Sequence, residues 1–279
     1  MEKFLINDEK GRELAEIDSY LNSFNNKNKE EIINNIIKDF NEGYSIYEKK
    51  ENLRKSIEFA CFDFEDKEEN KFNFEINEKK KNSIKKIFED TFRMLQNFIS
   101  QKIKVLLLPC LNNFIIKNMG GCFGFCPNDF TIVISLNFPE NWQKSLAETI
   151  GHETAHAISP YYKGGDYTLG EGFVFDGLAE HFRESTIGNG KSKWSNAITK
   201  EKAMEIIKEL KNKFYIKDRR LWREVFFGNG AYPHWTGYSI GYYLVEDYLK
   251  KQEKINWKKI IATPPINIFK EMLQEWNIN

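Results

Sequence analysis

His152 and His156 stand four residues apart in GHETAHAISP, with Glu153 between them, and they are two of only four histidines in the chain. This pair constrains the fold more than any other feature, because a helix sets residues four apart side by side on one face. The segment NWQKSLAETIGHETAHAIS reads as that helix, stopped by Pro160. The two imidazoles point more than about 100° away from the stripe of Leu146, Ile150 and Ala157, so the pattern does not make them core residues. They share their face with Ser145, Glu148 and Thr149, which suits a polar cleft. Zinc accepts imidazole nitrogen and, at catalytic sites, keeps one position open for water. Glu153 can reach such a water as a general base, which is the mechanical content of the H-E-x-x-H pattern. The bland alternative is an exposed helix that carries both histidines by chance. The position just after a strand and just before an acidic helix argues against it.

Around this helix the order of elements is readable. SIKKIFEDTFRMLQNFISQKI, from Ser83, is helical, with Ile84, Ile87, Phe88, Phe92, Leu95 and Phe98 in one stripe. KVLLLP is a buried strand closed by Pro109, and TIVISLN a second strand that ends at Pro139. Between them lies an irregular Gly-rich stretch, GGCFGFCPNDF, which reads as a mobile lip over the cleft. After a loop containing Gly164 and Gly165, helices run through FDGLAEHFRES and TGYSIGYYLVEDYLKK. Strands preceding helices, with long loops between, predict an α+β domain over residues 83–279. Residues 1–82, rich in Asn, Lys and Glu, predict a charged and mainly helical N-terminal region, with Lys79–Lys81 as a linker.

Composition excludes several function classes. The 41 basic and 41 acidic residues cancel, so the balance argues for neither nucleic acid nor an anionic membrane as partner. No apolar run is long enough for a membrane span. The N-terminus has acids at once and no apolar core of a secretory leader. Four cysteines in 279 residues do not make a disulfide scaffold, so a reducing, cytoplasmic location is expected. Cys122 and Cys126, spaced C-x-x-x-C, read as ordinary thiols.

A zinc site needs a third protein ligand. FDGLAEHF offers Asp176 and Glu180, one turn apart on one helix face, with Glu184 a turn further. The same acids lie opposite Phe175, Leu178 and Phe182, as a solvated face also would. His181 points about 100° away from Glu180 and is a weaker rival. Gly177 would let this helix approach the histidine helix closely.

HETAH, LGEGFVFDGLAEHF and YPHWTGYSIGYYLVEDYL, in that order, resemble the DUF2268 (YjaZ-like) family of predicted zinc-dependent proteases over roughly residues 100–250. The family pattern is H-E-x-x-H, then E-G-L-A-E, then a late G-Y-x-I-G-Y helix, and this chain departs from it with Asp176 in place of the first Glu. The resemblance implies a zincin-like fold of the gluzincin type, with a small mixed sheet, an active-site helix and a helical C-terminal part. It makes Asp176 the third ligand and Glu180 the group that orients a ligating histidine. Asp is one methylene shorter than Glu, so Glu180 stays open as the ligand. It also implies an oxyanion donor on the late helix, Tyr238 first and His234 second, whereas Trp235, Tyr243 and Tyr248 read as core. The strand TIVISLN would form the sheet edge, where an extended peptide substrate can pair.

The expected function is zinc-dependent peptide hydrolysis with Glu153 as base. The alternatives are a non-catalytic module in which metal only clamps helices, and a metal-dependent amidase on a non-peptide substrate.

Overall fold

The computed structural model describes residues 2–43, 50–63, 65–67, 70–228 and 230–278. It opens with strands where the composition suggested helices. β1 (Glu2–Asn7) and β2 (Glu13–Ser19) pair antiparallel, Phe4 opposite Ile17. The turn between them is built by Asp8, whose side chain accepts from the N–H groups of Lys10 and Arg12, and by Gly11 at φ +82°. The chain continues through β3 (Lys27–Asn28), α1 (Lys29–Gly43), α2 (Lys50–Cys61), β4 (Lys71–Phe72), α3 (Glu78–Leu95), β5 (Ile103–Pro109), α4 (Asn113–Asn118), β6 (Cys122–Asn128), β7 (Thr131–Leu136) and α5 (Trp142–Ala157). Part of the acidic run before β4, at 64 and 68–69, lies outside the described residues.

Five strands form one mixed sheet in the order β1-β2-β5-β7-β6, and β3 pairs with β4 apart from it. β2, β5 and β7 run parallel, and the two outer strands run antiparallel to their neighbours. All six residues of β7 are buried, and its Ile132, Val133 and Ile134 run suits an interior strand. This corrects the expectation that TIVISLN lies at the edge. The edge strand is β6, formed by the Gly-rich stretch expected to be a mobile lip, which folds back on β7 with Phe123 opposite Ser135.

Helices cover both faces. Ile32, Ile33, Ile36 and Phe40 of α1 and Leu53 and Ile57 of α2 pack with Leu106, Leu108 and Val133 of the sheet. α3 and α5 pack together, with α5 against β6 and β7 and α3 against β1 and β2. The α3 stripe is buried at Ile84, Phe88, Phe92 and Leu95. The helix begins at Glu78, so Lys79–Lys81 form its first turns and not a linker. The local reason is Asn77, whose side chain caps Lys80 N–H at 2.9 Å, with Glu78 favourably placed at the positive helix end.

Contacts divide the chain into two compact units, Met1–Ile158 and Ser159–Asn279. Residues 1–82, set apart above on composition, thus lie in one unit with β5, β6, β7 and α5. The second unit contains α6 (Leu169–Thr186), α7 (Lys200–Glu209), α8 (Arg219–Phe227), α9 (Thr236–Lys250), α10 (Trp257–Ile261) and α11 (Pro265–Glu275), and no strand among its described residues. A capping box of Thr168 and Glu171 starts α6. α6 and α9 meet backbone to backbone at Gly177 and Gly241: a Cβ on Gly177 would overlap the Gly241 carbonyl oxygen, and one on Gly241 the Phe173 carbonyl oxygen. Gly177 therefore serves the approach of α9, which corrects its expected role against the histidine helix. A mixed sheet flanked by helices, followed by an all-helical unit, is an α+β chain. No helix among the described residues is long and apolar enough to cross a membrane.

Candidate metal centre

α5 holds the two histidines and the glutamate. Its stripe of Leu146, Ile150 and Ala157 is fully buried, which fixes the rotation of the helix. His156 is buried and His152 half-buried. Their Nε2 atoms lie 3.1 Å apart. Two nitrogens on one tetrahedral zinc, each about 2.0–2.1 Å from it, stand roughly 3.3 Å apart. The pair is therefore spaced as two ligands of one ion.

Glu153 lies on the β6 side of α5. Gly124, in the middle of β6, faces this helix, and a Cβ there would stand 2.5 Å from Glu153 Cγ and 2.8 Å from Thr149 Cγ2. Cys126 places its Sγ 3.4 Å from Glu153 Oε2 and 3.2 Å from the Glu153 carbonyl oxygen. Burial, joined by the charge of Glu153, pushes the Cys126 thiol well above its ordinary value, so it is a protonated donor. The residues alone did not point to this contact. A glycine inside an otherwise apolar strand is the one signal that could have, since it often marks close approach of another group.

On α6, Asp176 and Glu180 are both buried, at 6% and 1% exposure, so neither belongs to a solvated face. Their surroundings differ. Glu180 accepts from Trp194 Nε1 at 2.9 Å on one oxygen, and from Ser192 Oγ (2.6 Å), Ser195 Oγ (3.0 Å) and Arg183 Nη2 (3.0 Å) on the other. Arg183, itself 1% exposed, also donates to the carbonyls of Gly188 and Gly190. Glu180 is thus the centre of a buried polar cluster that fastens the segment after α6. Asp176 instead groups with the histidines: one ligand atom from each of His152, His156 and Asp176 lies within 4.8 Å of the others, and among the described residues these three form the set able to hold an ion.

His181 is engaged elsewhere. Its Nε2 donates to the Tyr242 carbonyl at 3.0 Å, its ring stacks on Tyr242 with centroids 4.2 Å apart, and burial lowers its pKa. The Tyr242 hydroxyl donates to Glu184 at 3.0 Å. Tyr238, in the first turn of α9, is half-buried against Phe226, Phe227 and Trp235. His234 is exposed just before α9. All four cysteines are free and buried.

No curated protein and no solved structure matches the chain. A family model described as predicted zinc-dependent protease, DUF2268, matches residues 81–270, which takes in β5 to β7, the histidine helix, Asp176 and α9. Covering more than half of the sequence, that match shows that the chain belongs to the DUF2268 family of predicted zinc-dependent proteases.

Proposed function

We propose that the chain is a zinc metallopeptidase of zincin-like, gluzincin type, in which His152, His156 and Asp176 hold the ion and Glu153 is the general base. The observation that carries this reading is the grouping of those two imidazoles and one carboxylate, with the histidine nitrogens 3.1 Å apart. The donor set is also the right one, since two imidazoles and a carboxylate suit zinc and leave a coordination position for solvent. His181, the nearest rival for a fourth protein ligand in sequence, spends its Nε2 on Tyr242.

When bound, zinc supplies a Lewis acid that polarises a carbonyl and brings the pKa of water toward about 7. Glu153 takes the proton from the attacking water and returns it to the leaving amine. Tyr238, with His234 as second candidate, donates to the oxygen that becomes negative during the attack. The half-buried packing of Tyr238 among three aromatic rings favours it over the exposed His234. β6 pairs with β7 on one side and ends the sheet, so its other edge offers N–H and C=O groups to an extended polypeptide.

The test is Glu153→Gln on the full chain. The variant is expected to keep stoichiometric zinc and to lose at least about a thousandfold in hydrolysis of a peptide library, consistent with loss of an acid–base group. Library cleavage by the wild type should vanish with chelator and return with zinc. Hydrolysis retained in Glu153→Gln would remove the base assignment.

A further inference from the structure

We propose that Cys126 is a positioning residue for Glu153, its thiol holding the carboxylate over the edge strand in the orientation needed to receive a proton; this rests on the reading of Glu153 as base. The strand β6 presents alternate residues to α5. Cys122 lies close to Thr149, Gly124 lies beneath Thr149 and Glu153, and Cys126 bonds Glu153. Thr149 and Glu153 are one helical turn apart, so the strand runs beneath a single stripe of the helix.

Two features on that strand act on one side chain. Gly124 clears the space into which the Glu153 methylenes lie down, because a Cβ would stand 2.5 Å from Cγ and 2.9 Å from Cδ. Cys126 then fixes the far end, since one sulfur contacts both the carboxylate Oε2 and the main-chain oxygen of the same residue. A glutamate has three side-chain torsions, and a freely rotating carboxylate is seldom correctly placed for attack. The thiol is a weak donor, so it orients the carboxylate without taking up its capacity to accept a proton as a hydroxyl or ammonium group would. The thiol also brings no charge of its own to a carboxylate that would act beside a cation.

The experiment compares Cys126→Ala, Cys126→Val and Cys122→Ala in the 279-residue chain, measuring zinc content, kcat and KM on one peptide. Valine fills the space of the sulfur with one further carbon and suits a strand, so it removes the donor without opening a cavity. Both Cys126 variants are expected to lower kcat about tenfold, with KM within about twofold and zinc unchanged, as for a group acting on the chemical step. Cys122→Ala removes a thiol from the same strand face and is expected to stay within about twofold in kcat. In a Glu153→Asp background, where the carboxylate is drawn back from the sulfur, Cys126→Ala should add less than about twofold, because the two changes remove the same contact. Unchanged kcat in Cys126→Val, or the same loss in kcat on both backgrounds, would overturn the proposal. Should alanine unfold the chain, valine decides on the same readings. Wild-type kcat in the Cys126 variants alongside a dead Glu153→Gln would sink this proposal alone. An active Glu153→Gln would sink the reading of the base and the proposal with it.

Discussion

At the scale of single residues, the two candidate carboxylates on α6 are told apart by what surrounds them. Asp176→Ala removes a proposed ligand, so zinc content should fall well below stoichiometric. Glu180→Gln should keep zinc and lower stability by about 2 kcal/mol, because the buried guanidinium of Arg183 loses the nearer of two carboxylate partners, Glu184 staying at 3.5 Å. Metal analysis and denaturant unfolding of both variants check this, and the opposite outcome would make Glu180 the ligand. The histidine pair was legible in the sequence because a four-residue spacing writes its own geometry. The choice between Asp176 and Glu180 was not, because Glu180 is claimed by Trp194, Ser192 and Ser195, residues 12 to 15 positions further on. Nothing in FDGLAEHF records that they fold back on it. The Cys126 contact was hidden for the same reason, since it joins a strand to a helix 27 residues away.

At the scale of elements, legibility followed length and periodicity. α5 and α9 match the helical patterns that predict them, and β5 and β7 match the two aliphatic runs. β6 was hidden because glycines and cysteines look like loop in composition, and only pairing with β7 makes them a strand. The contact of α6 with α9 is set by two glycines, which gives a prediction with a definite sign. A methyl on Gly177 meets a backbone oxygen that cannot rotate away, so the helices must part. Such overpacking costs about 1–3 kcal/mol. Alanine recovers about 1 kcal/mol of helix propensity relative to glycine, which does not offset a clash with main chain. Gly177→Ala should therefore lower stability by about 2 kcal/mol in chemical denaturation. A neutral or stabilised variant would mean that the two backbones are not in contact.

At the scale of the whole molecule, the family match and the first folded unit start at different places. The match begins at residue 81, whereas the sheet begins at Glu2 and the core beneath it draws on Ile32, Ile33, Ile36, Phe40, Leu53 and Ile57. The composition of residues 1–82 disguised this, because Asn, Lys and Glu crowd the outward faces while a few Ile and Phe residues do the packing. Removing residues 1–82 would strip β2 from β5 and leave the N–H and C=O groups of residues 103–107 as a bare edge. It would also uncover Leu106, Leu108 and Val133, each worth about 2 kcal/mol when buried. Several such losses together equal much of the 5–15 kcal/mol that holds a domain folded. A chain of residues 83–279 is therefore expected to be insoluble or to bind a hydrophobic dye without a cooperative melt, whereas the full chain melts cooperatively. A soluble 83–279 fragment with a sharp transition and bound zinc would show instead that the first strands and helices only decorate a fold that β5, β6 and β7 complete without them.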